Sequence, residues 1–162
     1  MKKNLAISTS NLSKIYNKKN QKIRALKEFS IDIPKGSIYG LLGPNGAGKS
    51  TFINIIAGLV KKSSGKVIID GLDLDINQIE IKKRIGIVPQ ELNIDPFFTP
   101  YELLELQAGL YGVKKQDRET NEILDKMQLL DKKNSYARSL SGGMRRRLLI
   151  AKALVHDPEI IF

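Results

Sequence analysis

The sequence predicts an α/β fold with a helical subdomain inserted into its sheet. Three features carry that prediction. Short apolar runs alternate with a helical pattern through the first 94 residues. A glycine-rich stretch joins one of those runs to a helix, and from about residue 95 helical spacing takes over.

Taken in order, "FSIDI" (29–33) alternates apolar and polar residues as a strand does, and "PKG" at 34–36 marks a turn. "SIYGLL" (37–42) is nearly all apolar, the pattern of a strand buried on both faces. Phe52, Ile53, Ile56 and Leu59 then fall at helical spacing, until "KSSG" at 62–65 breaks the pattern. "KVIID" (66–70) and "RIGIVP" (84–89) read as two further strands. The opening is therefore strand, glycine-rich loop, helix, strand, a βα unit of an α/β sheet. "PYELLELQAGLYG" and "RETNEILDKMQLL" carry helical spacing with few β-branched residues, so 95–140 is the expected helical subdomain. A last helix is predicted from Gly143 to Val155, with Leu148, Ala151, Leu154 and Val155 on one face. "PEIIF" opens another buried strand. The expected organisation is one domain, 1–162, with an α/β core at 1–94, a helical subdomain at 95–140 and a final helix and strand start at 141–162.

Composition excludes several classes. At 162 residues, 41% hydrophobic and 27% charged, the chain is long and apolar enough for one folded domain. It has no cysteine, hence no disulfide or thiolate metal site, which fits a reducing compartment. Its longest apolar run, "FINIIAGLV", falls well short of the roughly 20 residues that span a bilayer, and "MKKNLAISTSN" is too polar for a secretory signal. A soluble cytoplasmic domain is the expectation. The net charge of +10 is spread along the chain and aromatic residues are only 6%, so nucleic acid is not an expected partner.

"GPNGAGKST" begins at Gly43 and matches GxxxxGK[ST]. Glycines let successive amides of Gly43, Pro44, Asn45, Gly46, Ala47 and Gly48 (Pro44 supplying none) turn around phosphate oxygens that a Cβ would obstruct. The start of a helix adds partial positive charge. Lys49 brings a full charge to the β- and γ-phosphates, the Ser50 hydroxyl suits Mg²⁺, and Thr51 is placed to reach the α-phosphate. The stretch predicts a nucleoside-triphosphate site of the P-loop NTPase type.

P-loops serve many activities, so the rest of the chain decides between them. "LSGGMRRR" at 140–147, together with "GPNGAGKST" and "VPQE" at 88–91, strongly resembles the ATP-binding cassette (ABC) family of ATPases, and nearly the whole chain follows that family's order of elements. The resemblance implies a P-loop NTPase sheet with an inserted α-helical subdomain, ATP and Mg²⁺ as ligands, and roles for matching residues. Gln90 falls where the family's glutamine reaches Mg²⁺ and the attacking water, the one catalytic side chain expected here. Tyr16, in "SKIYNK", falls where the family stacks an aromatic on adenine; a partly buried strand aromatic is the equal alternative. Ser141, Gly142 and Gly143 match the signature loop, which in the family closes over ATP held by the P-loop of a second subunit. In physical terms it is a capped helix start with bare amides. Met144 stands where glutamine is most common. Arg145 to Arg147 read as a solvated face. Phe97 and Phe98 fit either core packing or an apolar contact for a membrane partner.

The wording "PQELNIDPFFT" with "LSGGMRRR" looks most like multidrug-type bacterial exporters. The implied partners are a second ABC subunit, in a homo- or heterodimer, and an integral membrane permease; the implied place is the cytoplasmic face of a membrane. A ribosome- or DNA-acting ABC ATPase is the alternative. By analogy "PEIIF" is the start of the Walker B strand, so the family's magnesium-binding aspartate and the glutamate base are expected just beyond Phe162, and the switch histidine later still. The chain is thus expected to be an N-terminal portion, binding ATP–Mg²⁺ weakly and hydrolysing it negligibly. His156, in "LVHDPE", lies outside the switch motif and is expected at the surface or in packing.

Overall fold

The computed structural model describes residues 4–18 and 21–162, arranged as two compact units that divide between Lys82 and Lys83. In the first, β1 (Leu5–Lys18), β2 (Gln21–Pro34), β3 (Ser64–Ile69) and β4 (Leu72–Asp73) form an antiparallel sheet in the order β2-β1-β3-β4. "FSIDI" is the second half of β2, and "KVIID" lies within and just past β3. Along β1, Ile7 and Thr9 are buried on alternate positions, and then Leu12 is buried. The change of phase coincides with a break in register between Thr9 and Leu12, where Asn11 takes φ 49°. One extra residue there turns the following side chain back to the core. Thr9 stays buried because its Oγ1 donates to the Phe29 carbonyl at 3.2 Å and accepts from the Ile31 amide at 3.1 Å.

Helix α1 (Lys49–Ile56) covers this sheet with Phe52, Ile55 and Ile56. The Phe52 ring meets Phe29 of β2 edge to face, with centroids 5.2 Å apart. The expected apolar face is shorter than its spacing suggested. Leu59 is 71% exposed, because the helix ends at Ile56 and Gly58 turns the chain at φ 69°. A larger difference concerns "SIYGLL". It is not a strand, and Ile38, Tyr39 and Leu42 are exposed. An apolar run becomes a buried strand only when neighbours pair with its amides and carbonyls, and none of β1–β4 does so. Helix α2 (Gln78–Arg84) was not predicted; Ile81 is its buried residue.

In the second unit, α3 (Pro100–Leu110), α4 (Thr120–Lys126) and α5 (Gly142–Leu154) enclose a core that includes Leu104, Leu124, Leu129, Leu148 and Ala151. The predicted helices over 100–112 and 143–155 are present with ends shifted by a residue or two. A capping box starts α3: Thr99 Oγ1 accepts from the Glu102 amide at 3.2 Å, and the Thr99 amide donates to Glu102 Oε2 at 2.9 Å. These bonds hold the Glu102 carboxyl below its ordinary range. Glu105 is also held low, chiefly by the Thr120 hydroxyl and further by Arg118 at 2.8 Å, against the opposing effect of burial. The strands expected from "RIGIVP" and "PEIIF" shrink to β5 (Ile85–Gly86) and β6 (Ile160–Ile161), paired in parallel. Ile161 is half exposed, so β6 is not the buried strand its sequence implied.

His156 packs rather than reacts. Its ring stacks on Tyr111 with centroids 3.6 Å apart and planes 9° from parallel. Nε2 lies 3.1 Å from the Ile85 carbonyl, which can only accept, so Nε2 carries the hydrogen. Nδ1 is buried with no hydrogen-bond partner among the described residues. Burial lowers the His156 pKa from the ordinary 6.5, outweighing the Ile85 bond and Asp157, which raise it. The folded state therefore binds fewer protons than the unfolded one as pH falls below about 6.5. Stability is full above that value and declines beneath it. Thermal midpoints measured from pH 8 to 5 should fall more steeply for the wild type than for His156→Phe, which keeps the stack and cannot titrate. Glu105 loses its contribution only below its ordinary value of 4.5, so it does not obscure this window.

Candidate functional site

The loop at Gly43–Thr51 belongs to the first unit, and β2 sets its place. Gly48 precedes α1 with φ 90°, in the left-handed region. A Cβ on Gly48 would lie 2.4 Å from the Ala25 carbonyl oxygen and 2.7 Å from Leu26 Cδ2. Backbone conformation and close packing both demand glycine there. Gly46, at φ 83°, faces open space instead. The loop is thus pressed against β2 on one side and open on the other. Of the amides from Asn45 to Thr51, only that of Ala47 has a backbone acceptor among the described residues, the Pro44 carbonyl at 3.2 Å. The first turn of α1 has no side-chain cap and no acidic residue. Lys49 folds back over the loop, with Nζ 2.5 Å from the Gly43 carbonyl and 2.8 Å from that of Pro44.

These features fit a polyanion. Bare amides, the positive end of a helix and one ammonium group converge on an exposed loop with no carboxylate in it. Among the described residues Lys49 bonds only to neutral carbonyls, which phosphate oxygens would replace with charged acceptors. The Ser50 hydroxyl is exposed at the second helical position. Tyr16 sits on β1 opposite Ile23 and is 37% exposed, a partly buried strand aromatic still open to solvent. The Lys14 ammonium covers its ring at 4.8 Å.

The remaining predicted residues lie in the second unit. Ser141 caps α5, its Oγ accepting from the Met144 amide at 3.2 Å. Capping uses an oxygen lone pair, so the hydroxyl hydrogen stays available to an anion. Gly142 and Gly143 are exposed, and a Cβ on either would meet nothing within 4 Å. Met144, where a glutamine is usual, packs against the helical core. Gln90 is exposed in an irregular segment after β5.

Two expectations change. Arg145 and Arg147 are partly buried rather than solvated, with Nε unpartnered among the described residues, and Arg146 donates to the Pro89 and Gln90 carbonyls. The paired phenylalanines also divide. Phe98 packs on the core, while Phe97 is 68% exposed with the Arg138 guanidinium 5.6 Å from its ring centre.

The family model described as ABC transporter matches residues 26–162. The chain belongs to the ABC transporter family. This ABC protein is 37% identical over 157 residues to the linearmycin resistance ATP-binding protein LnrL of Bacillus subtilis, covering 96% of this chain and 49% of that one. It is 36% identical over 161 residues to the methionine import ATP-binding protein MetN of Desulfitobacterium hafniense, covering 96% of this chain and 47% of that protein. The chain therefore spans about half the length of the curated relatives it matches. Among solved structures, it superposes with TM-score 0.80 and 32% identity on a dimeric ATP-binding cassette in a post-hydrolysis state bound to ADP and Pi, covering 96% of this chain and 72% of that one. A dimeric bacterial ABC transporter cassette matches with TM-score 0.81, 32% identity and the same coverage. The fold is that of an ABC ATPase cassette. Among the described residues no helix is long and apolar enough to cross a membrane.

Proposed function

We propose that this chain is the ATP-binding part of an ABC transporter, with Lys49 and the amides of Gly43–Thr51 holding the triphosphate. The observation that carries the reading is the open loop with its bare amides and a single lysine, anchored on β2 through Gly48. Bound ATP–Mg²⁺ would supply the phosphoanhydride and the cation; in the first unit Ser50 is the side chain to hold that cation, and in the second Gln90 is the residue the family resemblance assigns to the cation and the attacking water. By role, residues 1–94 are the proposed nucleotide core, 95–140 the helical subdomain and 141–162 the signature helix, a division that differs from the compact units, which part after Lys82.

Ser141, Gly142 and Gly143 serve a second copy's nucleotide, so the working state is a dimer with each ATP gripped by both partners. Dimeric relatives support this arrangement. Exposed Phe97, beside Arg138, meets an integral membrane permease at the cytoplasmic face of the membrane. Closure on ATP moves that permease and hydrolysis resets it. Hydrolysis is proposed for the intact protein. For direction we propose export, supported by the resistance relative. The import relatives are nearly as similar, so direction is the separable part of the reading. Affinity purification of the intact protein from detergent-solubilised membranes tests the reading: an integral membrane protein should co-purify and modulate its ATP hydrolysis. Co-sedimentation with ribosomes or DNA, and no membrane partner, would refute it.

A further inference from the structure

Arg146 was expected on a solvated face, yet one nitrogen of its guanidinium spans 56 residues of sequence. Nη1 donates to the Pro89 carbonyl at 2.7 Å and to the Gln90 carbonyl at 3.0 Å, using both of its hydrogens. Pro89 and Gln90 lie in a segment without regular structure, and their backbones make no other hydrogen bond among the described residues. The neighbouring Arg145 and Arg147 turn elsewhere and are partly buried. Position 146 is four residues beyond Gly142, so both lie on one face of α5. Side chains on a helix also lean toward its N-terminus, which brings the guanidinium over the turn that begins with Ser141 and the two glycines.

We infer that Arg146 is a positioning residue that ties the glutamine loop to the signature turn, so that whatever pulls the start of α5 carries Gln90 with it. The tie itself stands on geometry; its use in ATP turnover rests on the function proposed above. An anion at Ser141–Gly143 acts on the helix N-terminus, α5 moves as a rigid rod, and two charge-assisted hydrogen bonds pass the movement to the carbonyls of Pro89 and Gln90. A lysine at 146 retains the charge and donors to reach one or both carbonyls, whereas alanine removes the tie.

The test uses the intact protein and has two independent readouts. Without nucleotide, NMR order parameters at the Gln90 and Glu91 amides should drop from about 0.85 to below about 0.6 in Arg146→Ala and remain near the wild-type value in Arg146→Lys. In ATP turnover, Arg146→Ala should lower kcat about tenfold with KM for ATP within about twofold, and adding it to Gln90→Ala should cost nothing further. Should alanine unfold the chain, Arg146→Gln, which keeps one donor group and the helix propensity, replaces it in both measurements. Unchanged order parameters at 90 and 91 would overturn the tie, as would losses that multiply with those of Gln90→Ala. If the loop loosens but the wild type neither binds nor hydrolyses ATP, the tie stands and the functional reading falls.

Discussion

Lys49→Ala is expected to weaken ATP–Mg²⁺ binding by the intact protein about a hundredfold or more and to leave its fold in place. A hydrogen bond to a charged partner contributes about 1.5–3 kcal/mol, and the Lys49 ammonium is the one full positive charge within the loop at 43–51. Two such bonds to phosphate oxygens correspond to roughly two to four decades of affinity, at 1.4 kcal/mol per decade. In the free protein its contacts are the Gly43 and Pro44 carbonyls, both exposed. Water replaces those contacts when the side chain is removed, so stability changes little. Lys49→Arg should not restore binding, because a planar guanidinium does not reproduce a compact ammonium inside a tight loop. Titration calorimetry with ATP–Mg²⁺, beside thermal unfolding of the same samples, separates the two effects. Affinity within threefold of wild type would remove Lys49 from the site.

Gly48→Ala is expected to destabilise the first unit by about 3 kcal/mol or more, the sum of left-handed strain and a backbone clash. The clash is with the Ala25 carbonyl oxygen of β2, which cannot rotate away as a side-chain end can. Gly46→Ala provides the control. Its φ of 83° is as unfavourable as that of Gly48, but its Cβ would stand in open space. It should therefore cost only about 1–2 kcal/mol of stability, and any further loss should appear in nucleotide affinity. Urea unfolding of both variants gives the comparison. Equal losses at the two positions would mean that β2 does not fix the loop.

How much of this was legible in the sequence depended on the range of each signal. The loop at 43–51 and the turn at 141–143 were readable because their chemistry is contained in a few adjacent residues. Helix α3 announced itself through its apolar spacing, while the capping pair Thr99 and Glu102, three apart, was a local signal that went unread. Helix α2 did not, since seven residues with Ile79 exposed and Ile81 buried make no apolar stripe. In β1 the bulge at Asn11 interrupts the alternation that would have marked its full length. "SIYGLL" had the composition of a buried strand, but pairing depends on neighbours that no local pattern contains. The same holds for Arg146: a run of three arginines looks alike whether it meets water or a carbonyl 56 residues away. The split between Phe97 and Phe98 was likewise a matter of which ring the folded core accepts.

The central claim is that two separate sets of bare amides close on one triphosphate from opposite copies of the protein. Backbone hydrogen exchange of the intact protein, with and without ATP–Mg²⁺ at several protein concentrations, tests it most directly. Residues 43–51 should be slowed at every concentration, and residues 141–145 only as the protein becomes concentrated enough to pair. Saturating nucleotide that left 43–51 exchanging as freely as before would contradict the claim.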